Sequence, residues 1–135
     1  MKLISSRNHT YIGWVVGVVL VAAPWIFQFD DVSAAKWSAI LVGLFVLVNE
    51  AVTTSPASLL KIVPMKLHVM LDVVTGVFLL LTPFLFQFSD EDANAWVPHI
   101  VVGILIAGYA LVTDTADSVQ AAGTDGMATA ERNNR

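Results

Sequence analysis

Few residues in this chain have side chains that could do chemistry. Asp72 lies inside a long apolar run, and His68 precedes it by one helical turn, so both side chains share a helix face. Glu50 lies near the end of another apolar run, next to Asn49. Ionisable groups within an apolar span are the usual candidates for function. His68, Asp72 and Glu50 therefore form a candidate proton or cation site, and the alternative is solvated helix ends.

A second candidate pairs His9 with His68, which occupy matching positions in an internal repeat described below. Two imidazoles related in this way could ligate haem or a metal. Gly13 stands where the repeat would place a counterpart of Asp72, so the alternative is a pair of histidines at a membrane interface. We expect His99, which follows Pro98, to be interfacial as well.

Other chemistry is absent from the sequence. It has no cysteine, no glycine-rich phosphate loop, no nucleophile elbow and no carboxylate pair spaced for acid–base work. We therefore expect a protein that is not an enzyme, without catalytic residues and without a bound cofactor or metal. The formal charge of −4 argues against a nucleic-acid partner.

Composition indicates the environment of these residues. The chain is 56% hydrophobic and 13% charged, with a mean hydropathy of +0.72, which is too apolar for a soluble domain of 135 residues. A helix needs about 20 residues to cross a bilayer core of about 30 Å. Four apolar runs approach that length: Tyr11–Phe29, Trp37–Val52 with extension to 34–53, Val69–Phe88, and Ala95–Thr113. The sequence predicts four transmembrane helices.

The chain contains an internal repeat. VAAPWIFQF at 21–29 resembles LLTPFLFQF at 80–88. The register that aligns Pro24 with Pro83 also pairs His9 with His68, Gly17 with Gly76, Phe29 with Phe88 and Trp37 with Trp96, and one inserted residue pairs Gly43 with Gly103 and Val52-Thr53 with Val112-Thr113. Each unit crosses the membrane twice, so the repeat is parallel. We predict an all-α membrane protein of four helices, arranged as two parallel-repeated helical hairpins.

The units resemble the SPW repeat of small bacterial and archaeal membrane proteins, which is named for a Ser-Pro-Trp motif. Ala23-Pro24-Trp25 and Thr82-Pro83-Phe84 stand at that motif, without its serine and, in the second unit, without its tryptophan. The resemblance covers about 10–113. It implies a four-helix protein of the cytoplasmic (inner) membrane of a bacterium or archaeon, and it implies no particular activity.

The prolines and glycines suggest how the helices pack. Pro24 and Pro83 each remove a backbone donor, which predicts a kink in the outer third of the helix. The aromatic residues after them, together with Trp37 and Trp96, predict an interfacial belt that includes Phe29 and Phe88. Small residues allow close approach between helices: Gly13, Gly17, Gly43, Gly76 and Gly103.

We divide the chain into an N-terminus at 1–9, repeat units at 10–53 and 68–114, a loop at 54–67, and a tail at 115–135 that we expect to be disordered. Within the loop, 57–63 is expected to form a short surface helix. Six of the seven Lys and Arg residues fall in the termini and this loop, and only Lys36 falls in the other loops. The positive-inside rule therefore places both termini in the cytoplasm.

Three functions remain open at this stage. The first is a structural or accessory protein that binds itself or another membrane protein within the lipid bilayer. The second is an oligomeric carrier or channel-like protein that uses the proline-kinked helices. The third is a haem- or metal-binding membrane redox subunit that uses His9 and His68.

Overall fold

The four apolar runs form four α-helices in the computed structural model, which describes residues 3–116. They are α1 (Ser6–Ile26), α2 (Ser33–Val52), α3 (Met65–Leu85) and α4 (Ala93–Leu111). Each is long and apolar enough to cross a membrane, and only 33% to 44% of each most apolar window is buried inside the protein. The remaining apolar surface needs lipid as its solvent. The predicted fold class is confirmed: this is an all-α, multi-pass membrane protein.

Helices α1 and α3 lie further toward the N-terminus than the apolar runs suggest. Helix α1 begins at Ser6 because the Ser5 hydroxyl caps it, accepting a hydrogen bond from the Asn8 N–H at 3.3 Å. Helix α3 begins directly after Pro64. Most of the tail assigned to 115–135 lies outside the described residues.

The repeated proline motif ends its helix in both units. Gln28 and Gln87 have φ angles of 57° and 58°, in the left-handed region. The next N–H groups turn back to the proline carbonyls, Phe29 to Pro24 at 2.8 Å and Phe88 to Pro83 at 2.9 Å. This pattern is the Schellman arrangement for a helix C-terminus. Only two helical residues follow each proline, so the motif stops the helix, and the expectation of a kink in its outer third is corrected.

The aromatic residues of the motif divide into two groups. Phe29 and Phe88 are buried, at 0% and 1% exposure, so their expected place in an interfacial belt is wrong. They pack in a core cluster with small residues such as Ala35 and Ala95. The exposed aromatic residues at this end are those that a belt requires: Trp25, Phe27, Trp37, Phe84 and Phe86.

Threonine in the second motif compensates for its proline. Pro83 cannot donate to the carbonyl of Leu79. The Thr82 hydroxyl donates to that carbonyl instead, at 2.6 Å. Ala23 holds the corresponding position in the first unit and has no hydroxyl. A hydroxyl residue before the proline is therefore explained by backbone satisfaction inside an apolar span.

Glycines bring the helices of each hairpin into close contact. A Cβ added at Gly76 would lie 2.6 Å from the Gly103 carbonyl oxygen, so α3 and α4 touch through their backbones. A Cβ added at Gly43 would lie 2.9 Å from the Val21 N, and one at Gly17 would lie 2.6 Å from Leu47, which gives the same relation between α2 and α1. These glycines pack helices within the molecule. Between the hairpins lies an apolar core of buried residues: Leu20, Val42, Val46, Leu79, Ile106 and Tyr109.

The loop between the hairpins differs from the expectation. The segment 57–63 forms turns and an isolated bridge, and no helix. Its N–H groups are used elsewhere, because Leu60 donates to Ala51 at 2.7 Å and Ile62 and Val63 donate to Val52. The loop therefore folds back on the end of α2.

Candidate metal centre

Four ionisable side chains converge at one end of the bundle. We call this end the base; it carries the start of α1 and α3 and the end of α2 and α4. His9, Glu50, His68 and Asp72 are each at most 1% exposed. One nitrogen or oxygen from each lies within 4.8 Å of the others. The two candidate sites of the sequence are thus one site, and its burial excludes both solvated helix ends and interfacial histidines.

The distances within the centre are short. His9 Nε2 lies 3.0 Å from His68 Nε2 and 2.9 Å from Asp72 Oδ2. His68 Nε2 lies 3.3 Å from the same Asp72 oxygen and 3.4 Å from Glu50 Oε1. Three helices, α1, α2 and α3, supply these four side chains, so the centre joins the two hairpins.

Two threonines fix the orientation of the imidazoles. The Thr53 hydroxyl donates to the Asn49 carbonyl at 2.5 Å and so accepts from His68 Nδ1, also at 2.5 Å. The Thr113 hydroxyl likewise donates to a backbone carbonyl and accepts from His9 Nδ1 at 2.6 Å. Each hydroxyl has only one proton and donates it to the backbone, so the proton in each contact between a threonine and a histidine must be on the imidazole Nδ1. In each neutral imidazole, the lone pair is therefore on Nε2, which faces the centre.

Matching backbone contacts hold both threonines in place. In one, the Ile4 N–H donates to the Val112 carbonyl at 3.1 Å, and the Asp114 N–H donates to the Ile4 carbonyl at 2.7 Å. In the other, the Val63 N–H donates to the Val52 carbonyl at 2.8 Å, and the Thr54 N–H donates to the Val63 carbonyl at 2.7 Å. We call these two bridges the clasps. They repeat one geometry in both units and cover the centre at the base of the bundle.

The two carboxylates have different surroundings. Asp72 Oδ1 accepts a hydrogen bond from the Asn49 amide at 3.0 Å. Glu50 is 0% exposed, and neither of its oxygens has a hydrogen-bond partner. The hydroxyl of Tyr109 is also buried without a partner, and its ring meets the His9 ring at a centroid distance of 4.7 Å. Unpaired buried polar groups cost about 1–3 kcal/mol each, so this part of the centre is incomplete.

A glycine admits Glu50 to the centre. A Cβ at Gly13 would lie 1.7 Å from Glu50 Oε1, and its three nearest atoms all belong to the Glu50 side chain. Gly13 follows His9 by one turn, as Asp72 follows His68. The Glu50 carboxylate therefore fills the space where the repeat would place a carboxylate from position 13.

This arrangement favours added positive charge. Two imidazole lone pairs 3.0 Å apart repel each other and the adjacent Asp72 oxygen. Two ionised carboxylates would add two negative charges in a buried site, where unneutralised charge is costly. Protons or a metal ion would relieve both effects.

The donor set suits a divalent transition metal. Ligands about 2.0–2.1 Å from a tetrahedral ion lie about 3.3 Å apart. Four of the six donor separations here are 2.9, 3.0, 3.3 and 3.4 Å, and no two of the ligand atoms are more than 4.8 Å apart. Imidazole and carboxylate donors suit zinc, iron, manganese or cobalt. Haem does not fit, because buried imidazoles 3.0 Å apart leave no space for a porphyrin between them.

His99 lies in a separate place, at the opposite end of the bundle, which we call the tip. It is 1% exposed, so its expected interfacial position is wrong. Its Nδ1 lies 2.8 Å from the Ala95 carbonyl, and its Nε2 lies 3.0 Å from the Ser38 hydroxyl. With all its polar contacts made between α4 and α2, this histidine joins the hairpins at the tip.

Sequence reasoning did not identify the supporting residues Asn49, Thr53, Tyr109 and Thr113 as parts of the centre. A signal for the threonines was present, since the repeat pairs Thr53 with Thr113 in the register that pairs His9 with His68.

Comparison with known proteins gives one match. The family model described as the SPW repeat domain matches residues 7–113, which include both hairpins and all four residues of the centre. No curated protein and no solved structure matches the chain.

Proposed function

Since the chain belongs to the SPW repeat family, we propose that this membrane protein uses the matching geometry of its two repeat units to hold one divalent transition-metal ion at the base of the bundle. The ligands are His9, His68, Asp72 and Glu50. The observation that carries the proposal is the convergence of one donor atom from each of these buried side chains within 4.8 Å.

A metal accounts for the centre better than protons do. A proton on His9 Nε2 would pair with Asp72 Oδ2 at 2.9 Å. A proton on His68 Nε2 faces Asp72 and Glu50 at nearly equal distances of 3.3 and 3.4 Å and can serve only one of them well. If that proton serves Asp72, both buried Glu50 oxygens stay without a donor. A metal ion takes one lone pair from every donor and is neutralised by the two carboxylates.

The role that follows is structural rather than catalytic. Four protein ligands complete a tetrahedral shell, and catalytic metal sites usually keep one position open. The ligands come from both hairpins, so the ion would hold the hairpins together. The protein is then an accessory or structural membrane protein, as composition suggests, with a bound metal, which the sequence suggested only as an alternative.

A carrier or channel-like function has less support. It would need a path from the centre toward the tip, and the apolar core between the hairpins fills that region. Its members Val46, Leu79 and Ile106 are each 0% exposed. The clasps cover the other side of the centre.

The proposal includes an orientation. We propose that the base faces the cytoplasm of a bacterium or archaeon and that the bilayer is the main partner of the exposed apolar faces. The support is the sequence positions of the Lys and Arg residues: six fall in the terminal segments and the segment between the hairpins, against Lys36 near the tip. Association with a second copy or with another membrane protein stays part of the proposal.

Metal binding by the purified protein tests the function. The protein in detergent, stripped of metal, is titrated with Zn²⁺ against a chromogenic chelator, and one ion per chain is expected. His68→Ala, Asp72→Asn and Glu50→Gln should each weaken binding, whereas Glu91→Gln, which changes an exposed carboxylate at the tip, should not. Equal binding by all five proteins, or none by the parent, would contradict the proposal.

A further inference from the structure

Two unpaired groups lie beside the same centre. Glu50 offers oxygens without a donor, and Tyr109 offers a hydroxyl without an acceptor. Both side chains are buried, at 0% and 6% exposure, so water does not satisfy them at the surface. A buried tyrosine hydroxyl ordinarily finds a partner. Each group therefore lacks what the other can supply.

The repeat indicates how they are related. The register that pairs Thr53 with Thr113 also pairs Asn49 in α2 with Tyr109 in α4. Asn49 donates from its amide to Asp72 Oδ1 at 3.0 Å and leaves Oδ2 facing the imidazoles. In the second unit, Tyr109 thus holds the position from which Asn49 of the first unit orients the Asp72 carboxylate.

The carboxylate to be oriented in the other half is that of Glu50. It occupies the space next to Gly13, which is the repeat counterpart of Asp72. The Tyr109 ring is already placed against His9, edge to face at 4.7 Å. The repeat therefore gives each half of the centre one donor, one carboxylate and one imidazole.

We infer that Tyr109 is a positioning residue for the metal: its hydroxyl donates to one Glu50 oxygen when the other oxygen binds the ion, as Asn49 does for Asp72. This inference rests on the proposed metal site. Hydrogen bonds from surrounding residues fix the direction of a ligand, and their loss typically weakens metal binding about 10–100-fold.

Tyr109→Phe tests the inference, because it removes the hydroxyl and keeps the ring against His9. We expect the affinity for Co²⁺, followed by its visible absorption, to fall about 10–100-fold. The thermal midpoint of the metal-free protein should stay the same or rise, since an unpaired buried hydroxyl is removed. Tyr11→Phe is the matched control, because Tyr11 is the other tyrosine of the chain and is 58% exposed.

A double-mutant cycle separates positioning from general packing. If Tyr109 acts through Glu50, Tyr109→Phe should add no further loss in a Glu50→Gln background. An equal loss in both backgrounds, or unchanged affinity in the single variant, would overturn the positioning role while leaving the metal site intact. A parent protein that binds no Co²⁺ would instead overturn the proposed function.

Discussion

Gly13→Ala is the change that depends most on the geometry of the centre, because Gly13 has no side chain to ligate a metal. The added Cβ would lie 1.7 Å from Glu50 Oε1 and 2.3 Å from its Cδ. Ordinary contact between such atoms begins near 3.4 Å. The carboxylate must therefore move by about 1.7 Å, whereas metal–ligand distances tolerate about 0.2 Å. We expect Glu50 to be lost as a ligand.

The expected magnitude follows from that loss. Disturbing the support of a ligand weakens metal binding by up to about 100-fold, so displacing the ligand should cost at least that factor, or about 2.7 kcal/mol. The assay is competition for Zn²⁺ with a chelator of known affinity. Gly108→Ala in α4 is the matched control, since a Cβ there meets nothing within 4 Å. If Gly13→Ala binds Zn²⁺ as tightly as Gly108→Ala does, the reasoning is refuted.

A rescue variant tests the same geometry in the opposite direction. Glu50→Ala removes the three atoms nearest to a Cβ at position 13. Gly13→Asp in that background then restores a carboxylate one helical turn after His9, as Asp72 stands after His68. The double variant should bind Zn²⁺ more tightly than Glu50→Ala alone. Equal affinities would show that the two repeat units do not place carboxylates equivalently.

Three further predictions concern the fold. Thr82→Val should lower the free energy of unfolding by about 1 kcal/mol, measured by denaturation in detergent, because it leaves a carbonyl unpaired; an unchanged value would refute the role of the hydroxyl. Gln87→Gly should raise the free energy of unfolding by about 1 kcal/mol, because glycine adopts positive φ without strain, and a lower thermal midpoint would contradict this reasoning. Single cysteines can test the orientation, because the chain has no cysteine of its own. Asp31→Cys and Glu91→Cys at the tip should react with an impermeant thiol reagent outside intact cells, and Leu59→Cys should not. The reverse pattern would invert the proposed orientation.

The fold could be predicted from the sequence because membrane helices follow strong rules. Apolar length identified the four spans, and the repeat around Pro24 and Pro83 gave two hairpins in the same direction. The exact helix ends were less accessible. The left-handed conformation of Gln28 and Gln87 ends each helix before the last aromatic residue of its run. Glycine, and sometimes asparagine, usually adopts this conformation at a helix C-terminus, so a glutamine does not predict it.

The centre was only partly predictable. His68, Asp72 and Glu50 were predicted as one site, because ionisable groups stand out in apolar spans, and His9 was paired with His68 through the repeat. That both predictions describe a single site could not be derived, since it depends on how closely α1 and α2 approach and on which way Glu50 turns at Gly13. A glycine that admits a neighbouring side chain has the same sequence signal as one that packs two backbones.

X-ray absorption at the zinc edge of the Zn²⁺-loaded protein reports the atoms bound to the ion and therefore distinguishes the proposed ligand set from any other. We expect four nitrogen and oxygen ligands at about 2.0–2.1 Å, including the scattering pattern of two imidazoles, and one imidazole fewer in His9→Ala. A shell of water oxygens without imidazole, or the same spectrum from His9→Ala, would contradict the claim that the two repeat units share one metal ion.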